Sequence, residues 1–305
     1  MSKIKLRILG TTAGVPTKER AHAAIYLSYD DGEEFCYLWD CGEGTQRQFL
    51  FGGLNVMKIN QMFITHWHGD HCLGLPGMVD TMGFEGRQKP LTVYAPEAGK
   101  VRRSLAVSHS MGKFKIIPRG VPSRGSKVTT LLEAERFRIV STPVKHSVPA
   151  VAYALLEKDK LSVDPEKAVK LGLPQQGELY SRLKEKGEVR LEGRKIRLED
   201  ISVTKKGKKV VYSGDTEICD NLKKLVSGAD LLVQDCTYFS EEKDFERPHE
   251  HASLPEVIEM VREEKVKKAV LTHISRKCRD IDQMRKMVEG YDNIEIAEDF
   301  LEVTI

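Results

Sequence analysis

The stretch FITHWHGDHCLGL, residues 63–75, sets three histidines and an aspartate within six positions. His66, His68, Asp70 and His71 offer imidazole nitrogen and carboxylate oxygen. That donor set suits Zn²⁺, with Mn²⁺ or Fe²⁺ as alternatives. In an extended segment alternate side chains point the same way, so His66 and His68 are expected to grip one ion. Gly69 lets the backbone turn, and Asp70 and His71 then reach a second. Each zinc takes about four ligands, so the cluster needs distant completion. His146 in STPVKHSVPA, Asp215 in YSGDTE and His273 in LTHIS each follow an apolar run and can supply it. The count closes with His66, His68 and His146 on one ion, Asp70, His71 and His273 on the other, and Asp215 bridging. A bridging water completes each shell. Two cations about 3.5–4 Å apart can share a water whose pKa falls toward 7. Hydrolysis is the expected chemistry; the bond attacked stays open at this point.

Such ligands need rigid elements behind them. Runs rich in Val, Ile, Leu, Tyr or Phe at 4–10, 36–40, 61–66, 91–96, 136–142, 208–215, 229–236 and 267–273 read as strands. Helical patterns lie at about 43–52, 72–83, 217–227, 253–264 and 280–290. Three of the strands run directly into His66, Asp215 and His273, and a strand end is a rigid place from which to aim a ligand. Asp235 ends a fourth but is not read as a ligand. Ser253 and Glu256 form a capping box that starts a helix with a stripe of Val257, Ile258 and Val261. Strands and helices alternating through both halves predict an α/β layered protein. Residues 157–207 break the pattern, being polar, rich in Lys and Glu and poor in large apolar residues. They read as an excursion with no core of its own: short helices at 165–171 and 178–186, then a polar hairpin.

The chain has 305 residues, enough to bury a large core. Formal net charge is only +3, but its distribution is uneven. Residues 158–209 hold 15 Lys and Arg against 9 acidic residues, and residues 97–127 hold 8 against 1. Two basic segments on an otherwise acidic chain suggest a polyanionic partner. No stretch approaches the roughly 18 apolar residues that span a bilayer. The N-terminal MSKIKLRILG reads as a strand rather than a signal peptide. The cysteines at 36, 41, 72, 219, 236 and 278 form no CxxC pair and are read as buried small hydrophobes. The expectation is a cytoplasmic protein with no membrane contact.

These residues resemble the ribonuclease Z (tRNase Z) family of the metallo-β-lactamase superfamily, and the likeness covers nearly the whole chain. ILGTTAGVPTKER resembles its first strand and loop, LWDCGEGTQRQFL its second motif and FITHWHGDHCLGLPG its metal motif. KKVVYSGDT and AVLTHIS resemble its later motifs. The resemblance implies an α/β fold, the αβ/βα four-layer sandwich, as one domain over 1–305 with a flexible arm inserted at 157–207. It implies two Zn²⁺ per subunit and a homodimer whose arms serve the partner's site. It implies cleavage of tRNA precursors 3′ of the discriminator nucleotide, leaving a tRNA 3′-hydroxyl and a 5′-phosphorylated trailer. Asp40 would steady the metal ligands, and Asp70 would orient or deprotonate the attacking water. His251, in EHASLPE, would protonate the leaving 3′ oxygen. It precedes a helix N-terminus, where backbone N–H groups favour an anion, and an imidazole titrates near working pH.

The same resemblance makes Ser275, Gly177 and Lys184 candidate substrate contacts. In the arm, LGLPQQGELYSRLKEKGEV has Glu178 where the family often has Pro, and Ser275 is followed by Arg276-Lys277-Cys278 rather than a Pro-Arg-Tyr-like run. The rival reading is another dizinc hydrolase of this fold, a phosphodiesterase, exonuclease or thioesterase, which would need neither the arm nor His251. His22, His109 and His249 read as structural or exposed, and Trp67 and Tyr238 as packing residues.

Overall fold

In Ala24–Asp30, sequence AIYLSYD, the side chains of Ile25, Leu27 and Tyr29 enter one core while Ala24 and Tyr26 enter another. Successive side chains of a strand point to opposite faces, so this strand is buried on both. It belongs to the middle of a layered structure. The computed structural model describes residues 2–106, 113–173, 178–191, 193–238, 250–277 and 281–305, with the side chains at 180, 181 and 184 outside the description. Gly177, His109, His249, Cys278 and the Lys184 side chain therefore lie outside the described residues.

Two seven-stranded sheets carry the fold. The first is built from β1 (Lys3–Gly10), β2 (Ala24–Asp30), β3 (Glu34–Trp39), β4 (Ile59–Phe63), β5 (Leu91–Ala95) and β6 (Ile116–Gly120). The second takes β7 (Thr129–Glu133), β8 (Phe137–Val144), β9 (Ala150–Glu157), β10 (Lys209–Tyr212), β11 (Leu231–Asp235), β12 (Ala269–Thr272) and β13 (Ile294–Ile296). The last strand, β14 (Glu302–Thr304), returns to the first sheet beside β1, giving the order β14-β1-β2-β3-β4-β5-β6. The second sheet runs β13-β12-β11-β10-β9-β8-β7. β3 to β6 are mutually parallel, as are β10 to β13. The first parallel group ends toward His66, and in the second β10 and β12 end toward Asp215 and His273.

Side chains from both sheets, among them Leu6, Leu27, Trp39, Phe63, Tyr153, Tyr212, Val233 and Val270, form the core between them. A second core lies on the outer face of the first sheet. There α1 (Thr45–Phe51), α3 (Leu75–Phe84) and α4 (Gly99–Leu105) bury Phe49, Leu75, Met78, Met82, Val101 and Leu105. α2 (Gly69–Cys72) is a single turn within the metal motif. In the other half α7 (Asp220–Val226), α8 (Leu254–Glu263) and α9 (Ile281–Val288) bury Leu222, Val257, Val261 and Met284.

Several strands lie outside the predicted runs, and β2, β6, β7 and β9 are the chief ones. Two of the three predicted runs into metal-type residues end earlier than expected. β4 stops at Phe63 and β10 at Tyr212, and short loops carry the chain on to His66 and Asp215. Only β12 delivers its residue directly, and His273 then takes a left-handed φ of 59°.

Residues 156–208 form a separate compact unit. It contains α5 (Pro165–Lys170), α6 (Glu178–Lys186), the strand pair Lys160–Val163 with Ser202–Lys205, and the hairpin Glu188–Leu191 with Arg194–Arg197. The expectation that this excursion has no core of its own is wrong. Val163, Ala168, Leu173, Leu183, Ile196 and Ile201 are buried together. Six apolar residues scattered singly over its short elements and turns suffice, a spacing too sparse for any periodicity to register.

Candidate metal centre

Hydrogen bonds on the far side of each ring fix which nitrogen faces inward. His71 Nδ1 lies 2.7 Å from Asp40 Oδ2, a carboxylate that can only accept. His71 Nδ1 is therefore the protonated nitrogen, and Nε2 carries a lone pair. His146 donates from Nδ1 to the Glu250 carbonyl at 2.8 Å. The Thr65 hydroxyl is 2.8 Å from Asp40 Oδ2, to which it donates, and accepts from His66 Nδ1 at 3.0 Å. Thr237 repeats the device: its hydroxyl donates to Asp235 Oδ1 at 2.7 Å and accepts from His273 Nδ1 at 2.8 Å. These tautomers follow from the network of partners. All four rings turn an Nε2 lone pair to the same region.

Two groups of converging atoms result. His68 Nδ1 lies 3.1 Å from His66 Nε2 and 3.1 Å from His146 Nε2, with Asp215 Oδ2 at 3.5 Å from His66 Nε2. His273 Nε2 lies 3.3 Å from Asp70 Oδ2 and 3.2 Å from Asp215 Oδ2, and His71 Nε2 is 3.2 Å from Asp215 Oδ1. His66, His68, His146 and Asp215 thus form one group and Asp70, His71, Asp215 and His273 the other, each within 4.8 Å. Asp215 belongs to both. Three nitrogens meeting at His68 cannot all be satisfied by one ring proton. His71 Nε2 and Asp215 Oδ1 are buried without any hydrogen-bond partner among the described residues. Buried polar atoms are rarely left so. Cations are the partners that these lone pairs fit, and the donor set is that of a divalent metal.

Charge tells the same story. Burial pushes the Asp215 carboxyl up, but His273, His71 and His66 around it hold it well below its usual range. Asp70 is likewise held low against its burial by His273 and His71. Burial depresses His71 and His273, yet Asp215 and Asp40 lift His71 well above its ordinary value, and Asp215, Asp235 and Asp70 lift His273 to about 10. His66, buried beside His71, is held well below its ordinary value, and burial lowers His146 too. Without a cation these carboxylates can be neutralised only by protons on the rings.

The backbone is shaped to hold this. Asp40, fully buried, has a left-handed φ of 57° and accepts from Thr65 N at 2.7 Å and the Tyr212 hydroxyl at 2.8 Å as well as from His71. Such strained residues cluster at functional sites. Gly42 passes so close behind the motif that a Cβ there would meet the Asp70 carbonyl at 2.2 Å. Gly14 N donates to Asp70 Oδ2 at 2.8 Å and aims that carboxylate.

His251 stands at the edge of the cluster, its ring stacked 5.1 Å from His273 and edge-on to His146 at 5.0 Å. Asp235 Oδ2 accepts from its Nδ1 at 2.8 Å, so any proton it gives must leave from Nε2. Burial opposes protonation of His251, but Asp235 outweighs it and raises its pKa. Asp235 also lies near two rings as a group with Asp215, His251 and His273. Its oxygens are already taken by Thr216 N, Thr237 N, the Thr237 hydroxyl and His251, so it positions histidines rather than facing the lone pairs. No sequence signal marked that role, nor those of Thr65 and Thr237.

The helix start after His251 is less available to an anion than expected. Ser253 N donates to Glu256 Oε2 at 2.9 Å in the predicted capping box, and Leu254 N donates to the Tyr238 carbonyl at 2.8 Å. Ser275 pairs with Ala13 and lines a cleft of about 570 Å³ with Arg20 and Arg276. Trp67 donates to the Pro96 carbonyl, and Tyr238 meets the His251 ring edge-on at 6.2 Å. His22 is buried beside Glu43 and is in neither ligand group.

Comparison with known proteins agrees with this architecture. A profile described as "Beta-lactamase superfamily domain" matches residues 195–274, and one described as "Anti-Pycsar protein Apyc1" matches residues 4–106. Ribonuclease Z of Methanothermobacter thermautotrophicus is 35% identical over 304 residues, covering 99% of this chain and 97% of that protein. Ribonuclease Z of Bacillus licheniformis is 37% identical over 275 residues, covering 89% and 88%. Among solved structures, human tRNase Z, short form, is similar with a TM-score of 0.68 at 24% identity, covering 98% of both chains. The metallo-beta-lactamase fold protein YhfI of Bacillus subtilis gives 0.66 at 18%, covering 99% and 100%. With curated relatives at such identity from one end to the other, the chain belongs to the ribonuclease Z family of the metallo-β-lactamase superfamily.

Proposed function

We propose that this protein is a metal-dependent endoribonuclease that cuts tRNA precursors 3′ of the discriminator nucleotide, in the cytoplasm where such precursors are processed. The observation that carries this is the pair of ligand groups sharing Asp215, with His251 held beside them, in a chain alike along its length to proteins named Ribonuclease Z. His66, His68, His146 and Asp215 would hold one Zn²⁺, and Asp70, His71, Asp215 and His273 a second. Metal bound there would supply a water of lowered pKa and offset charge gathering on the phosphate oxygens.

The protein's own side chains do the rest. Asp70 orients the attacking water and accepts its proton. As the new P–O bond forms, the bond from phosphorus to the 3′ oxygen breaks. His251 delivers its Nε2 proton to that oxygen, which leaves as the tRNA 3′-hydroxyl, and the trailer keeps the phosphate. Asp235 keeps His251 protonated for that step, and Asp40 keeps His71 turned inward. Ser275 contacts the RNA near the site, and the unit 156–208 is the arm that grips the tRNA body, with Gly177 and Lys184 among its contacts.

The active form is a homodimer. Leu50 and Phe51 of α1 and Phe84 of α3 are 77%, 61% and 75% exposed, an apolar set that water solvates poorly and a second copy would cover.

The test is to incubate the protein with a 3′-extended tRNA precursor and map both ends. A single cut after the discriminator, with a 3′-hydroxyl on the tRNA and a 5′-phosphate on the trailer, is expected. Stepwise trimming of the trailer would instead make it an exonuclease of the same fold.

A further inference from the structure

We propose that the exposed cations of residues 97–127 form a second RNA-binding rim beside the candidate metal centre, taking backbone phosphates of the stem that flanks the scissile bond. This rests on the reading of the protein as a nuclease for tRNA precursors, and it concerns a surface other than the 156–208 arm.

Topology brings the segment to the site. β4, β5 and β6 are parallel, with Phe63, Tyr94 and Arg119 in one register row, so their C-terminal ends share one edge of the sheet. Ligands of open α/β sheets bind at that edge. β4 leads on to His66. β5 leads on to Pro96, whose carbonyl accepts from Trp67 Nε1, the indole between two candidate ligands, at 2.6 Å. β6 carries Arg119 and leads into the loop 121–127. That loop is stapled on the opposite flank: Asn221 Nδ2 donates to the Gly125 carbonyl and to the Pro143 carbonyl, both at 2.9 Å. Pro143 lies three residues before His146. Arg124 and Lys145 line one cleft there, of about 350 Å³. The segment thus borders the His66–His68–His146 group on two sides.

Its charges are left open. Arg102, Arg103, Arg119, Arg124 and Lys127 are exposed, and among the described residues none has a carboxylate within ion-pairing distance. The one acid of the segment, Glu97, is taken by Lys100 at 2.8 Å. Some surface lysines elsewhere do have such a partner, as Lys58 with Glu34, Lys223 with Glu263 and Lys267 with Asp230. Neighbouring like charges repel, and a polyanion laid across them relieves that repulsion and releases its counterions. Arginines and lysines on an edge strand and its loop make phosphate contacts, which position RNA without reading its sequence.

The test compares kcat and KM for a 3′-extended tRNA precursor across a salt series. The variants are Arg119→Gln/Arg124→Gln/Lys127→Gln and the charge-keeping Arg119→Lys/Arg124→Lys. For the first, KM at low salt should rise about 10- to 30-fold with kcat kept, and the log–log salt slope of kcat/KM should flatten by about 2, since each phosphate contact contributes roughly 0.7–0.9. The second should keep the slope of the parent protein. Unchanged KM and slope would overturn the rim and leave a merely solvated face. A matching fall in hydrolysis of bis(p-nitrophenyl) phosphate, too small to reach the rim, would overturn it as a distortion of the centre. A parent protein that hydrolyses this ester but leaves the precursor intact would sink the tRNA reading, and the rim with it.

Discussion

His251 and Asp235 show how much one hydrogen bond decides. Asp235 raises the pKa of His251, so the protonated acid persists to higher pH and is lost as pH climbs through the raised value. Asp235→Asn removes that support. The basic limb of the kcat–pH profile should then move to lower pH, whereas a purely structural role would lower kcat at every pH alike. His251→Ala should cost about 10²–10⁴-fold in kcat, the usual worth of a general acid, while metal analysis finds the ions retained. Asp40→Asn, which weakens the hold on His71 Nδ1, should lower metal affinity about 10–100-fold, read by titration with a zinc indicator. The candidate ligands were legible because four donors within six residues have few other uses. Asp235, Thr65 and Thr237 were not, because one carboxylate or hydroxyl acquires its meaning only from the ring that folding places against it. The capping box that closes off Ser253 N was legible too, yet it weakens the anion contact first read from the same helix start.

Elements were legible where their pattern was local. The helix Leu254–Glu263 starts at its capping box and buries Leu254, Val257, Met260 and Val261, with Ile258 only half-buried. β9, with sequence AVAYALLE, is buried on both faces and so has no alternation to separate it from a buried helix. In the 156–208 unit both helices and the hairpin were visible, but not the core they share. Leu183 is fully buried in that core. Leu183→Ala should destabilise the unit by about 2–5 kcal/mol, seen as faster hydrogen exchange in 160–205 while the sheets keep their protection. Replacing residues 164–201 by a short glycine turn keeps the strand pair at the base of the unit. It should raise KM for a tRNA precursor sharply while hydrolysis of a small phosphodiester persists. Equal loss on both substrates would mean that the unit does not serve as an RNA arm.

At the scale of the whole molecule, two sheets bring residues 66–71, 146, 215 and 273 to one place from loops spread over most of the chain. The order of motifs made that convergence readable, since it matches the family's own. The surface was less readable, because exposure of single apolar residues such as Phe51 and Phe84 follows from packing rather than from local sequence. Phe51→Glu with Phe84→Glu should turn a dimer into a monomer by light scattering, at unchanged Tm if the helices stay folded. No described helix is long and apolar enough to cross a membrane. In the proposed function two cations share Asp215 and together cut RNA. Stripping the protein of metal and adding Zn²⁺ stepwise, with bound metal and precursor cleavage read on the same samples, tests it most directly. Cleavage should rise only as the second equivalent per chain binds, and Asp215→Ala should bind neither ion tightly. Full cleavage with one ion bound, or two ions held tightly by Asp215→Ala, would contradict it.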